Sequence, residues 1–257
     1  FGTLASLHML DTRLIGRDKQ VTLSQYLAGE ASAPTRQLMG QPQVDWLSQR
    51  MAASPCTWQV LGQQVLMMRM VIPLSIATDF SVETLTAYLA AQALPDSARS
   101  DSQRALITQQ KVPYNLDAWD GYPAARDAVL AMARNQGKNL ISLAGDTHNS
   151  WAGNLTDNSG QRVGVEFGTS SVSSPGFERA LPLIANDLLS DGFRRIIDDL
   201  RYAETSKRGY AVLTLTPAEA RCDYIEVSTV LSRDYSVRTA ATLRVLPGVG
   251  NLQVLVA

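Results

Sequence analysis

Short apolar runs alternate with amphipathic segments over much of the chain, and this alternation limits the possible folds more than any other feature. An apolar run of about four to eight residues is typical of a buried strand, whereas apolar residues three and four apart indicate a helix that covers a sheet. Strands separated by helices favour an α/β architecture in which helices flank the sheets. The predicted strands are Leu4–Leu10, Trp58–Val65, Asn139–Ala144 and Val163–Phe167, and the predicted helices are Gln43–Ala53, Val82–Ala93, Tyr122–Asn135 and Pro182–Leu189.

Two segments depart from this alternation. Residues 206–257 are rich in Thr, Val and Tyr at alternating positions, which predicts a C-terminal antiparallel β-meander. We therefore expect a main domain over residues 1–205, closed by the strands of 206–257 in the same domain or in a small subdomain. The stretch Pro95–Trp119 is polar and rich in turn-forming residues, and it is predicted to be a surface loop.

Composition excludes few functions but sets a constraint. The 257 residues carry a formal net charge of −1, so no global field favours nucleic acid or an anionic membrane. No apolar run approaches the roughly 20 residues of a transmembrane helix. Cys56 and Cys222 have no metal-binding or redox spacing, and we expect two unlinked, small apolar side chains.

The beginning of the chain is unusual. Phe1 is followed by no basic region and no long apolar region, so no signal peptide is visible. The apolar run Leu4–Leu10 instead begins almost at once, without a preceding turn. This pattern suggests a chain that continues a longer protein.

Asp146 and His148 are the strongest candidates for chemistry. They follow the predicted strand Asn139–Ala144 directly, and Gly145 lets the backbone turn sharply as it leaves the strand. Ligands commonly bind at the carboxyl ends of strands in α/β sheets, and a carboxylate two residues from an imidazole can serve one metal ion such as Zn, Fe or Mn. A surface pair without a ligand is the alternative.

Other candidates are weaker. The second of the two histidines, His8, lies within an apolar run, which favours a core or sheet-edge position. Asp11 and Arg13 follow that run and could reach the same crevice, or could form a structural ion pair. The sequence contains no Gly-x-Ser-x-Gly elbow, no Gly-x-x-x-x-Gly-Lys-Ser/Thr phosphate loop and no Gly-x-Gly-x-x-Gly fingerprint.

Several co-linear motifs resemble those of PhoD-type alkaline phosphatases/phosphodiesterases, which belong to the calcineurin-like metallophosphoesterases. The resemblance extends over nearly the whole chain. The motifs are Leu10-Asp11-Thr12-Arg13, Thr57-Trp58-Gln59-Val60-Leu61-Gly62, Trp119-Asp120-Gly121-Tyr122-Pro123, Gly145-Asp146-Thr147-His148-Asn149-Ser150-Trp151, Val165-Glu166-Phe167 and Ser173-Ser174-Pro175-Gly176.

The resemblance implies two stacked sheets flanked by helices, and hydrolysis of phosphate mono- or diesters by metal-bound hydroxide in an exported, periplasmic or extracellular protein. It maps Asp146 and His148 onto metal ligands of a binuclear site that holds divalent or trivalent ions (Fe, Ca, Zn or Mn). It maps Trp119, Asp120 and Tyr122 onto the rim of the site as possible substrate-binding residues.

The sequence also departs from the family. The Gly-Asp-x-x-Tyr and Asp-Asp-His-Glu-like motifs of the family's earlier half are absent, so most ligands of a two-metal site are missing. We therefore expect the C-terminal part of a metallophosphatase fold that is incomplete at its N-terminus. The absent half, or another copy of the chain, is the expected partner, and a non-catalytic binding or scaffold fragment is the alternative.

Overall fold

The elements alternate as the sequence predicts, with strands of two to nine residues and helices of four to 14 residues. A computed structural model describes residues 1–256. The helices are α1 (Leu23–Leu27), α2 (Gly40–Ala53), α3 (Leu74–Thr78), α4 (Val82–Ala93), α5 (Asp101–Thr108), α6 (Pro123–Asn135), α7 (Phe177–Ala180) and α8 (Asn186–Ile196). The strands are β1 (Ala5–Met9), β2 (Trp58–Gly62), β3 (Val71–Pro73), β4 (Lys111–Pro113), β5 (Asn139–Ala144), β6 (Ser150–Thr156), β7 (Arg162–Gly168), β8 (Leu200–Glu204), β9 (Gly209–Leu215), β10 (Ala220–Val227), β11 (Val237–Val245) and β12 (Leu255–Val256).

The main sheet has six strands in the order β1-β2-β5-β7-β6-β8. The first four are parallel, so their carboxyl ends lie at one edge, whereas β6 and β8 run antiparallel to their neighbours. A second, antiparallel sheet has the order β12-β11-β10-β9, and β3 and β4 form a separate antiparallel pair. Since β1 pairs only with β2, it forms one margin of the main sheet.

The main sheet is covered on both faces. Helices α2, α4, α6 and α8 supply apolar residues such as Leu47 and Phe193 to the core on one face. On the other face, alternate residues of the strands pack against the second sheet. Val165 of β7, for example, lies in the same apolar cluster as Tyr224 of β10. The hydroxyl of Tyr224 donates a hydrogen bond to the Trp151 carbonyl (2.7 Å) across this interface. The expected stacked sheets, flanking helices and C-terminal antiparallel sheet are therefore confirmed.

Most predicted elements occur where periodicity places them. Strand β5 and helix α4 have the predicted bounds, Asn139–Ala144 and Val82–Ala93. The predicted loop Pro95–Trp119 is wrong, because it contains α5 and β4. Helix α5 begins at a capping box in which Ser100 and Gln103 satisfy each other's backbone N–H groups, and such a box stabilises a short polar helix.

The last predicted helix is displaced. The prediction Pro182–Leu189 is wrong, since α8 extends over Asn186–Ile196 and buries Leu189, Phe193 and Ile196 at helical spacing. Strand β6 was not predicted, because it is buried on both faces yet contains Gly153 and Asn154 and shows no alternation.

Two smaller expectations agree with the structure. Cys56 and Cys222 are free thiols rather than a disulfide. His8 is buried at the margin of the sheet, where Nε2 lies 2.9 Å from Gln59 Oε1 and the ring packs edge-on against Trp46. None of the described helices has both the length and the apolar character that crossing a bilayer requires.

Candidate functional site at the carboxyl edge of the main sheet

Gln64 ties together three loops that leave the parallel strands at the carboxyl edge. Its Oε1 accepts hydrogen bonds from the backbone N–H (2.8 Å) and the hydroxyl (2.7 Å) of Thr12, in the loop after β1. Its Nε2 donates to the Leu10 carbonyl (3.0 Å), and its own carbonyl accepts from the N–H of Gly145 after β5 (3.1 Å). The loops after β1, β2 and β5 are therefore held in fixed relative positions.

The loop after β5 has an unusual backbone at both candidate residues. Asp146 has φ 66° and His148 has φ 60°, the left-handed region that residues with a Cβ rarely adopt. Thr147 lies between them and holds this shape, since its hydroxyl accepts a hydrogen bond from the indole N–H of Trp151 (2.9 Å). Such conformations, each of which costs about 1–3 kcal/mol, cluster at functional sites.

The Asp146 carboxylate pairs with a guanidinium from another loop. Arg13 bridges Asp146 and Asp117, and Arg17 makes a second ion pair with Asp117 (2.5 Å). The Asp11–Arg13 ion pair considered from the sequence is wrong, because the Asp11 carboxylate accepts backbone N–H groups of its own loop instead. Those hydrogen bonds lower the pKa of Asp11, so it remains ionised. Two guanidinium groups and the carboxylates of Asp117 and Asp146 thus meet at this edge.

The His148 ring is exposed and is oriented by a carbonyl group. Its Nδ1 lies 3.2 Å from the carbonyl oxygen of Pro175, in the loop before α7. A carbonyl oxygen can only accept a hydrogen bond, so Nδ1 carries the proton. In the neutral ring Nε2 then carries no proton, and its lone pair is available to a metal ion. Metal-binding histidines commonly show this arrangement.

The two candidates do not complete a metal site by themselves. Asp146 contacts the loop after β1, whereas His148 contacts the loop before α7. Among residues 1–256, no group of three or more His, Cys, Asp or Glu side chains is arranged to hold a metal ion. Two donors fall short of the nearly complete set that a fixed metal ion requires.

Trp119, Asp120 and Tyr122 lie behind this edge, with their side chains buried. All three side chains hydrogen-bond to other parts of the protein, and their role in substrate binding stays a prediction. The indole N–H of Trp119 donates to Gln63 Oε1 (2.9 Å), Asp120 Oδ2 accepts from the N–H of Met70 (2.7 Å), and the Tyr122 hydroxyl donates to the Asp18 carbonyl (2.8 Å).

Glu166 was not among the predicted functional residues, although its buried carboxylate accepts several hydrogen bonds near this edge. It accepts from the N–H groups of Met67 (2.8 Å) and Met68 (2.7 Å), and from the hydroxyl of Ser142 (2.9 Å). Burial raises the pKa of Glu166 to about 7, against the lowering effect of these hydrogen bonds. An acidic residue within the apolar strand Val163–Phe167 was the available signal.

Glu166 and Arg126 hold the buried loop after β2 from both sides. Glu166 satisfies two N–H groups of this loop, and the Nε–H of Arg126 donates to the Met67 carbonyl (2.6 Å). Asp120 accepts from the same loop, and burial raises its pKa to about 6, although the charge of Arg126 lowers it. This network supports Gln64, and through it the candidate site.

A family model described as PhoD-like phosphatase matches residues 1–224. The chain belongs to the PhoD-like phosphatase family. Alkaline phosphatase D of Bacillus subtilis (strain 168) is 27% identical to this PhoD-like chain over 250 residues, which are 94% of the chain and 36% of that protein. A solved structure described as "Structure of PhoD" matches with a TM-score of 0.72 at 25% identity. The match covers 100% of this chain and 42% of the chain in that structure.

The PhoD-like chain thus spans less than half the length of either relative. Both candidate ligands, Asp146 and His148, lie within the part of the chain that the family model matches.

Proposed function

We propose that the chain contributes Asp146 and His148 as metal ligands to a metal-dependent hydrolase of phosphate mono- or diesters. The observation that carries the proposal is the left-handed loop after β5, which presents a carboxylate and an imidazole with a free Nε2 in a PhoD-like chain. The metal ions would be divalent or trivalent, in a binuclear site, and their identity (Fe, Ca, Zn or Mn) is open. Such ions offset negative charge on a phosphoryl group when they are bound.

The remaining ligands would come from residues outside this sequence. Strand β1 offers a place where such residues can join, since only one of its sides is paired. The N–H of Trp58 donates to Leu4 and the N–H of Leu10 donates to Gly62, so alternate residues face β2. The backbone groups of Leu7 and Met9 therefore face away from β2, and their side chains are 46% and 66% exposed. A further strand from the same protein could pair there.

This proposal gives Arg13 a role in binding the phosphate once a cation is bound at Asp146. The Asp146 carboxylate forms an ion pair with the guanidinium of Arg13, which Asp117 also contacts. A cation that binds Asp146 would compete with Arg13 for the same oxygen atoms. The displaced guanidinium would then be free to bind a phosphate oxygen, for which its planar donors are suited.

Metal analysis and hydrolysis tests on the full gene product check the proposal. We expect retained metal after dialysis and hydrolysis of aryl phosphate mono- or diesters in wild type, and loss of both in Asp146→Asn and His148→Ala. Asp101→Asn is the matched control, because the Asp101 side chain is fully exposed on α5 and its ion pair is with Arg104 of the same helix. Metal content and activity that survive both substitutions would refute the ligand assignment.

A non-catalytic binding or scaffold fragment is the second candidate, favoured by the lack of a complete ligand set in residues 1–256. It predicts no stoichiometric metal and no hydrolysis under any metal supply. We further propose an exported location, periplasmic or extracellular, for the full protein. Cell fractionation with detection of the chain checks the location.

A further inference from the structure

A cleft of about 480 Å³ lies among helices α1, α3 and α7 and strand β4. Twelve residues line it, of which ten are apolar or aromatic, two are the amides Gln20 and Asn115, and none is charged. Its volume falls within the roughly 300–1,000 Å³ of small-molecule sites, which are mostly apolar with a few polar groups. The absence of charge in this lining excludes a phosphate group from the interior, because a buried phosphate requires cations or several donors.

One wall of the cleft is continuous with the loop that carries Asp146 and His148. Tyr114 and Phe177 line the cleft, and both rings pack against Trp151, with centroid distances of 6.4 and 6.3 Å. The indole N–H of Trp151 donates to the hydroxyl of Thr147, the residue between the two candidates. The cleft and the site therefore share a wall of packed side chains.

Two further hydrogen bonds connect the lining of the cleft to the site. Asn115, at the rim, accepts a hydrogen bond from the N–H of Asp117 (2.9 Å), whose carboxylate binds Arg13. On the other side, the N–H of Phe177 donates to Asn149 Oδ1 (3.2 Å), directly after His148. A ligand in the cleft would thus have its polar end near the charged groups and its apolar part among aromatic rings.

We propose that this cleft binds the uncharged, apolar organic group of the phosphoester, an aryl or alkyl group, while the phosphate lies at the charged edge. The inference rests on the proposed function and adds the substrate class. Apolar lining favours such a group through removal of its surface from water, and the neighbouring aromatic cluster gives it planar surfaces for packing. A small polar alcohol group would gain little from this cleft.

Binding of 1-naphthyl phosphate to the purified chain tests the inference without any requirement for catalysis. Leu23→Asp puts a charge in the lining, and Ala180→Trp fills space at its exposed rim. We expect each to weaken binding of 1-naphthyl phosphate about tenfold, the loss that corresponds to roughly one side chain's apolar contact. Binding of glycerol 1-phosphate should change less than about twofold.

The controls are matched by position and chemistry. Leu27→Asp changes an exposed leucine of the same helix α1, and Ala28→Trp adds the same bulk just beyond it; neither residue lines the cleft. Both should bind 1-naphthyl phosphate as wild type does. Equal affinity of wild type for the two esters, or unchanged affinity in both cleft variants, would overturn the inference.

Kinetics of the full gene product separate this inference from the proposed function. Selective loss of kcat/KM for 1-naphthyl phosphate relative to methyl phosphate in Leu23→Asp supports the cleft assignment. Hydrolysis of both esters with unchanged preference in Leu23→Asp and Ala180→Trp refutes the cleft alone. Absence of hydrolysis of every phosphoester refutes the proposed function, whatever the binding data show.

Discussion

Glu166 should make stability depend on pH in a direction that its environment determines. Its carboxyl group is fully buried, and burial raises its pKa from 4.5 to about 7. Because the folded-state pKa lies above the unfolded value, the folded state retains the proton over the interval in which the unfolded chain releases it. Stability from this group is complete below pH 4.5 and is lost as pH rises through about 7.

The size of the effect follows from the shift. Each pKa unit corresponds to about 1.4 kcal/mol, so Glu166 should lower the free energy of unfolding by about 2.5 kcal/mol between pH 5 and pH 8. Glu166→Gln removes this titration. The substitution also places an amide NH₂ group next to buried N–H donors, so a hydrogen bond is lost. This loss lowers the free energy of unfolding by about 1–3 kcal/mol at pH 5.

Urea unfolding between pH 5 and pH 8, followed by fluorescence of the buried tryptophans, measures the effect. We expect Glu166→Gln to be less stable than wild type at pH 5, and the difference to shrink or reverse by pH 8. Other buried carboxyl groups, such as Asp120, titrate in both proteins. Glu83→Gln, at an exposed helix position, should follow the wild-type profile. Parallel profiles for wild type and Glu166→Gln would refute the reasoning.

Three further predictions concern the stability of the fold. Gly176→Ala places a Cβ 2.4 Å from the side-chain oxygen of Asn149, and it should lower stability by about 1–3 kcal/mol in thermal unfolding. Ser100→Ala removes the N-cap of α5 and should cost about 1 kcal/mol, measured by urea unfolding, whereas Ser100→Asp should be nearly neutral. Trp119→Phe breaks the buried hydrogen bond to Gln63 and should lower the free energy of unfolding by at least about 1 kcal/mol in urea unfolding. A smaller decrease would contradict a structural role for this hydrogen bond.

The position of Asp146 and His148 directly after β5 could be predicted because its signal is local. A buried strand followed by Gly145 and two ligand-type residues is visible in one stretch of sequence, and β5 has the predicted bounds. The periodicity that identifies α4 and β5 likewise depends only on neighbours in the chain. Apolar periodicity does not reveal α5 within Pro95–Trp119, because a capping box marks the start of that helix.

The partners of those residues could not be predicted. Arg13 lies 133 residues from Asp146 in the chain, and Glu166 lies 99 residues from Met67, yet each pair is in contact. Such contacts depend on strand order, because β1, β2, β5 and β7 bring their carboxyl ends together only when the sheet forms. The cleft beside Tyr114 and Phe177 has the same origin, since its walls come from distant segments.

The sequence by itself determined the fold class, the family and the position of Asp146 and His148 after a buried strand, because apolar periodicity and short motifs are properties of contiguous residues. Only the tertiary structure decided which charges meet at the edge of the sheet, that Asp146 and His148 adopt left-handed backbone conformations, and that Glu166 is buried deeply enough to raise its pKa. These properties depend on distances and solvent exclusion between segments far apart in the chain, and they are established only when the two sheets and their helices pack together.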